Sequence, residues 1–164
     1  MPDVPATRPH LPADYGVPED PDGLLAWEFV DDRLRTARTY WITTVGPKNT
    51  PHARPINAVW VDGALCFGGS AGTRWVRNLW ENPRISVNLA GDDEVVILEG
   101  EVERVDDSEH PIVAPARAAT QAKHPEAYGG EEPTFNGFWI LRPTTVHAWA
   151  LSGFPGNMTV WHLD

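Results

Sequence analysis

Residues 40–89 read YWITTVGPKNTPHARPINAVWVDGALCFGGSAGTRWVRNLWENPRISVNL, and this stretch decides the fold. Tyr40–Val45 is rich in β-branched and aromatic side chains, which suits a half-buried strand. A polar turn over Gly46–Thr50 separates it from a second extended run, Pro51–Val61, and the pair predicts a β-hairpin. Asp62-Gly63 comes next. Both central positions of a type I′ turn need positive φ, and this dipeptide supplies them, leading into a third strand, Ala64–Phe67, joined to the others as a meander. Gly68, Gly69, Ser70 and Gly72 break that strand. Thr73–Asn82 then reads as a short helix, with Val76, Leu79 and Trp80 at core spacing and Pro83 as its stop. Arg84–Leu89 is the next strand.

Upstream, Leu24, Trp27, Val30 and Leu34 recur on one helix face while Glu28, Asp31, Asp32 and Arg35 take the other, which predicts a helix over 24–38. Residues 1–22 hold six of the 16 prolines and almost no apolar periodicity, the mark of an extended arm that either stays unstructured or lies across a partner. Downstream, Glu94–Val105 is a long strand in which Gly100 marks a bulge or a barrel corner. Residues 108–126 are Ala-rich and helical, 126–133 form a loop, and strands follow at 135–141, 144–151 and 158–163. The length of 164 residues suits one domain, here 23–164 behind the arm. Many short strands with a few inserted helices predict a mainly β (α+β) chain curled into a small antiparallel barrel, because closure removes exposed edges.

Thirteen Lys and Arg against 23 Asp and Glu give a formal charge of −10, a field that repels nucleic acid and anionic membrane surfaces. No run approaches the length of a membrane span and no basic-then-apolar leader opens the chain, so a cytoplasmic protein is expected. The single cysteine, Cys66, sits in an apolar run and reads as a buried thiol. The histidines lack ligand spacing, so no metal site is expected. A P-loop, a GxSxG elbow and a GxGxxG fingerprint are all missing.

The segment 68–78, GGSAGTRWVRN, carries the best chemical signal. Glycines let a backbone approach a ligand, the first helical turn offers free N–H groups, and Arg74 and Arg77 add positive charge, a combination suited to a phosphate. The competing reading is a plain turn with a Ser70 or Thr73 cap and solvated arginines. Residues 52–57, HARPIN, place Arg54 just before a proline in a strand, which requires an edge or a rim. Trp27, Trp80 and Trp139 read as packing residues; Trp75, Trp149 and Trp161 suit a planar ligand or a subunit contact. His147 and His162 have no orienting carboxylate in view. With no nucleophile or acid pair to hand, any hard chemical step falls to a cofactor.

The order of these segments resembles the pyridoxamine 5′-phosphate oxidase-like superfamily of flavin and deazaflavin proteins, from about Ala37 to Val105. The marks are TVGPKNTPHARPINAVWVDGALCFGG, then TRWVRNLWENPRISVNL, then the strand VVILEGEVERV, with a fainter echo in FWILRPTTVHAWAL. The resemblance implies a split antiparallel β-barrel with two or three peripheral helices, a homodimer, and FMN or coenzyme F420 bound at its interface. By residue matching, Arg54, Pro55, Ile56, Asn57, Ala58 and Val59 lie along the ring. Gly69, Ser70, Thr73 and Arg74 hold the phosphate, with Arg77 and Asn78 as further candidates, and Trp149 and Trp161 reach the pocket from the partner chain. Two departures stand out. Trp75 occupies the place of a lysine found in many members, and Val160 that of the arginine in a Thr-Arg-Trp ending.

The resulting expectation is an oxidoreductase that uses F420 to pass hydride to a small activated, for example conjugated, organic acceptor. An FMN-binding oxidoreductase of the same type and a non-catalytic cofactor-binding module are the alternatives. The long arginine set of a vitamin B6 oxidase is not visible, so that activity is not expected.

Overall fold

The computed structural model describes residues 4–89, 91–128 and 136–163. Helix α1 (Trp27–Thr36) leads into β1 (Tyr40–Val45), β2 (Pro51–Ile56), β3 (Val59–Val61) and β4 (Ala64–Phe67). Then come α2 (Arg74–Glu81), β5 (Arg84–Leu89), the long β6 (Glu94–Val105), α3 (Val113–Lys123) and a single turn, α4 (Pro125–Tyr128). Strands β7 (Phe138–Leu141), β8 (Thr145–Ala150) and β9 (Thr159–His162) close the chain. All pairings are antiparallel, and β6 belongs to both halves of the curl. It pairs with β5 over Ile97–Glu101, while on its other side Glu94–Glu99 faces β8 and Val102–Val105 faces β7.

Gly100 stands where β6 changes partner. A Cβ there would lie 3.1 Å from Leu141 Cδ1 and 3.2 Å from the Arg142 carbonyl, so any side chain at this corner requires its neighbours to give by a few tenths of an ångström. The register of Ile85 on Gly100 stays unbroken, which makes the residue a corner and not a bulge against β5. One half of the barrel runs β2-β1-β5-β6-β8-β9, the other β6-β7-β4-β3. This is a split β-barrel.

The predicted meander is corrected at Asn57–Ala58. The run expected as one strand over 51–61 divides there: β2 pairs with β1 at one sheet edge, and β3 pairs with β4 at the edge of the other half. Helix α1 is shorter than the predicted 24–38, because the Leu25 amide donates to Thr159 Oγ1 at 2.8 Å and stays outside the helix. Helix α3 tolerates Pro115 because it falls in the first turn, where amides lack intrahelical acceptors anyway.

The main core fills the barrel between the sheets, α1 and α2, with Val30, Leu34, Ile42, Leu98 and Leu141 almost fully buried. A second cluster seals α3 onto β3, β4 and β7 through Val59, Cys66, Val113 and Ile140. The described part of the arm folds back on its own chain. Thr7 and Val160 exchange backbone hydrogen bonds of 2.9 Å, and the Arg8 guanidinium donates to the carbonyls of Asp20, Asp22, Gly156 and Met158. Among the described residues no helix is long and apolar enough to cross a membrane.

Candidate functional site

The turn after β4, exposed over Gly68–Gly72, leads directly into the start of α2. Gly69 is there because Trp75 lies beneath it: a Cβ would come within 2.2 Å of Trp75 Cζ2 and 2.8 Å of Val76 Cγ2. Thr73 Oγ1 donates to the Ser70 carbonyl at 2.7 Å, Ser70 Oγ accepts from the Gly72 amide at 3.4 Å, and Arg77 Nη1 donates to the Gly72 carbonyl at 2.9 Å. The expected Ser70 or Thr73 cap is therefore a brace within the turn: Thr73 is the N-cap residue, but no side chain caps α2. The first-turn amides face outward without intrahelical acceptors, beside a positive dipole end. Arg74 is exposed and has no hydrogen bond or ion pair among the described residues.

Strand β2 shows alternating exposure, with His52, Arg54 and Ile56 on its more covered side. Arg54 stands opposite the fully buried Ile42, so its side chain shares the barrel's inner face. Its Nε is buried and has no hydrogen-bond partner. Asn57 is exposed at the crossing between sheets, Pro55 is exposed, and Ala58 and Val59 are buried.

Helix α2 and strand β1 are locked by Asn78, which is 3% exposed and donates from Nδ2 to Thr44 Oγ1 at 2.9 Å. Thr44 faces His52, one pleat repeat from Arg54 on the same side of β2. Asn78 thus ties the helix carrying Arg74 to the sheet carrying Arg54. One Nδ2 hydrogen bond of Asn78 goes to positioning α2, and the residue also lines the cleft with Arg74 and Arg77.

Three tryptophans are reassigned. Trp75 is 4% exposed and packs in the core near Phe67, so it reaches neither a phosphate nor a subunit surface. Trp161 is 1% exposed and stands edge-on to Trp27, deep in the same protomer. Trp80, expected as a packing residue, is 57% exposed. Trp149 lies half-buried on the face of β8 opposite Val146 and Ala148, the outer face it shares with Trp41 of β1. Arg54, Arg74 and the Gly69–Thr73 turn thus come from neighbouring elements, whereas Trp149 and Trp161 do not join them within one protomer.

Sequence reasoning missed Arg104, which lies 5.8 Å from the Trp80 ring centroid and 5.4 Å from that of Trp139. The only signal for it was an arginine among the acidic residues of β6. Other polar groups are structural. Lys123 Nζ donates to the Ala37 carbonyl at 2.8 Å and Tyr40 OH at 3.2 Å, and burial holds its pKa below the usual lysine range. Burial pushes the Cys66 thiol up to about 12. His147 lies 3.7 Å from Glu99 on the outer surface. Among the described residues no group of three or more His, Cys, Asp or Glu could hold a metal ion.

The family model for pyridoxamine 5′-phosphate oxidase matches residues 26–150. A pyridoxamine 5′-phosphate oxidase-related, FMN-binding protein from Nostoc punctiforme superposes with a TM-score of 0.61 at 17% identity, covering 86% of this chain and 93% of its own. A heme binding protein from Mycobacterium smegmatis gives 0.63 at 23%, covering 77% and 53%, and an F420 reductase gives 0.53 at 18%, covering 77% and 98%. At these identities the likeness is one of fold. No curated protein matches the chain.

Proposed function

This chain belongs to the pyridoxamine 5′-phosphate oxidase family, and from that premise we propose a homodimeric oxidoreductase that binds coenzyme F420 and reduces a small conjugated organic acceptor. The observation that carries the reading is Arg54, whose buried Nε has no acceptor among the described residues, set on the strand that Asn78 and Thr44 hold beside Arg74, which is likewise unpaired among them. A buried guanidinium nitrogen without an acceptor is costly, and an anionic ligand removes that cost. Donors, open backbone and cation at Gly69–Arg74 suit a phosphate, so the residues present fit a flavin-type cofactor.

The bound deazaflavin supplies the hydride chemistry. The chain's own share is to bind and orient: Arg74 and the α2 amides take the phosphate, Arg54 takes an anionic or carbonyl oxygen, and Ile56 to Val59 provide a backbone rail for the ring. The outer face bearing Trp41 and Trp149 is where a second copy brings its side chains to the cofactor. Trp75 in the core means that the lysine contact of many relatives is replaced by packing, which leaves Arg74 and Arg77 as the basic groups of the turn.

The test is a parallel titration of the purified protein with F420 and FMN, after its absorption spectrum is taken as isolated from a host that lacks F420. Selective F420 binding to a colourless protein, followed by cofactor oxidation with conjugated acceptors, is the expected result. Retained FMN replaces F420 by FMN, and tight binding without reduction of any acceptor makes the protein a cofactor-binding module. Binding of neither overturns the reading.

A further inference from the structure

Two clefts flank the start of α2 and share the indole of Trp80. One is lined by Arg74, Arg77, Asn78 and Glu81. The other, of about 570 Å³, within the range of small-molecule sites, holds the Gly68–Ala71 backbone, Val76 and, from the far end of β6, Arg104. The turn that offers its amides to an anion therefore has the arginines of α2 on one flank and an arginine of β6 on the other. Trp75, the residue after Arg74, is buried and brings no charge. The amides of Gly69, Ser70 and Ala71 donate to no acceptor among the described residues.

Arg104 is held as a fixed donor. Its side chain is 19% exposed, and it donates from Nε to Asp106 Oδ1 and from Nη2 to the Asn136 carbonyl, both at 2.8 Å. Trp80 and Trp139, edge-on to one another, each lie within 6 Å of the guanidinium carbon. Gly137, at φ +75, leaves the space for this clamp, because a Cβ there would run into Arg104 Nη2 and Asp106 Oδ1. Nη1 has no acceptor among the described residues. A guanidinium oriented in advance loses little side-chain freedom when a ligand arrives. Two carboxylates oppose it: Asp106 directly, and Glu81 across Trp80. The Asp106 carboxylate is 67% exposed, so water screens it and much of the arginine's charge stays effective.

We infer that Arg104 is a phosphate-binding residue of the cofactor site, meeting the phosphate from the flank of the turn opposite Arg74. The inference rests on the reading of this turn as the phosphate site and adds to it a cation from a distant element. A phosphate accepts several charge-assisted hydrogen bonds at once, and Arg77 already spends Nη1 on the Gly72 carbonyl. Arg104 supplies the second guanidinium. In a chain of formal charge −10, cations from two elements set against one run of free amides give an anion a local field that the rest of the surface denies it.

The test is an amide NMR titration of the full chain with inorganic pyrophosphate, read at Gly69, Ser70 and Ala71, beside calorimetry with F420, FMN and their counterparts that lack the phosphate. Saturable shifts at the three amides are expected. Arg104→Gln weakens pyrophosphate, and whichever phosphate-bearing cofactor binds, about tenfold, while the phosphate-free counterpart binds as before. Arg104→Lys, which keeps the charge and loses the fork, falls between. Asp106→Asn keeps an oxygen for Nε and removes the opposing charge, so it tightens pyrophosphate roughly twofold or more, a gain that a purely structural clamp would not give. Should Arg104→Gln fail to fold, Arg104→Lys and Asp106→Asn carry the test. No saturable shift at the turn, wild-type affinity in Arg104→Gln, an equal loss for the phosphate-free counterpart, or no gain in Asp106→Asn overturns the inference. If neither F420 nor FMN binds while pyrophosphate saturates the turn through Arg104, the proposed function falls and the role of Arg104 stands.

Discussion

Trp75 shows how a single residue settles what a motif is worth. A lysine at this place would need to point outward; the indole instead fills the core beneath Gly69, and the two positions are complementary. Gly69→Ala drives a methyl into that ring, so it should cost about 1–3 kcal/mol, seen as a lower Tm in thermal denaturation with the fold otherwise kept. An unchanged Tm would mean that the turn relaxes freely. Cys66 gives a second prediction at this scale. Burial raises its pKa to about 12, and only the thiolate is nucleophilic, so the native protein should resist a thiol-reactive dye that labels it at once in denaturant. The sequence alone made Cys66 legible, since it sits mid-run among apolar residues. It misjudged Trp75 and Trp80, because the apolar arc of α2 spans both and nothing local tells which edge of that arc the sheet will cover.

At the scale of elements, the strands were largely legible, but the helix expected over 108–126 runs only Val113–Lys123, α4 enters the stretch expected as a loop over 126–133, whose remaining residues lie outside the described ones, and the Asn57–Ala58 break was not legible. Alternation reports which face of a strand is covered; it carries no record of which strand lies beside it, and the break exists only because β2 and β3 have different neighbours. The same limit hid the role of Asn78, whose partner Thr44 lies 34 residues away. The joint between α3 and α4 carries a prediction of its own. His124 is buried with Nε2 unpartnered, and burial first, then the Arg38 charge, lowers its pKa below 6.5, with Lys123 adding to the effect and Glu126 opposing it. A depressed folded pKa means that the unfolded chain takes up the proton first. Stability is then complete above about pH 7 and falls as pH drops through 6.5 toward the folded value, below which the loss is constant. His124→Gln should flatten that part of the Tm profile between pH 7.5 and about 5.5. A wild-type profile in this variant would remove His124 as the cause.

The whole molecule joins an acidic surface to a small set of arginines held for other purposes than surface pairing. Arg33, Arg35, Arg38 and Arg84 have carboxylate partners, while Arg54 and Arg74 have none among the described residues, although the chain carries a surplus of acids. With a formal charge of −10, pairing them would have been easy, so their isolation is selective and marks where an outside anion belongs. The sequence could name these residues through resemblance, yet not their isolation, which depends on how β2, α2 and the turn are placed. The arm was legible only as proline-rich; its attachment through Thr7 and Arg8 depends on β9 and the loop before it, at the far end of the chain. A ligand that binds only the folded state at 100 times its Kd adds about 2.7 kcal/mol of stability, which for a domain of this size raises Tm by about 5–10 °C. The bound cofactor should give that shift. Removing one charge-assisted contact by Arg74→Ala costs about 1.5–3 kcal/mol of binding, so at the same cofactor concentration the shift should fall to half or less. Added salt should reduce what remains of a surface-exposed phosphate contact and leave the part due to the half-buried Arg54 in place. An equal shift in wild type and Arg74→Ala would place the anion away from the start of α2, and the arginine's isolation would then need another cause.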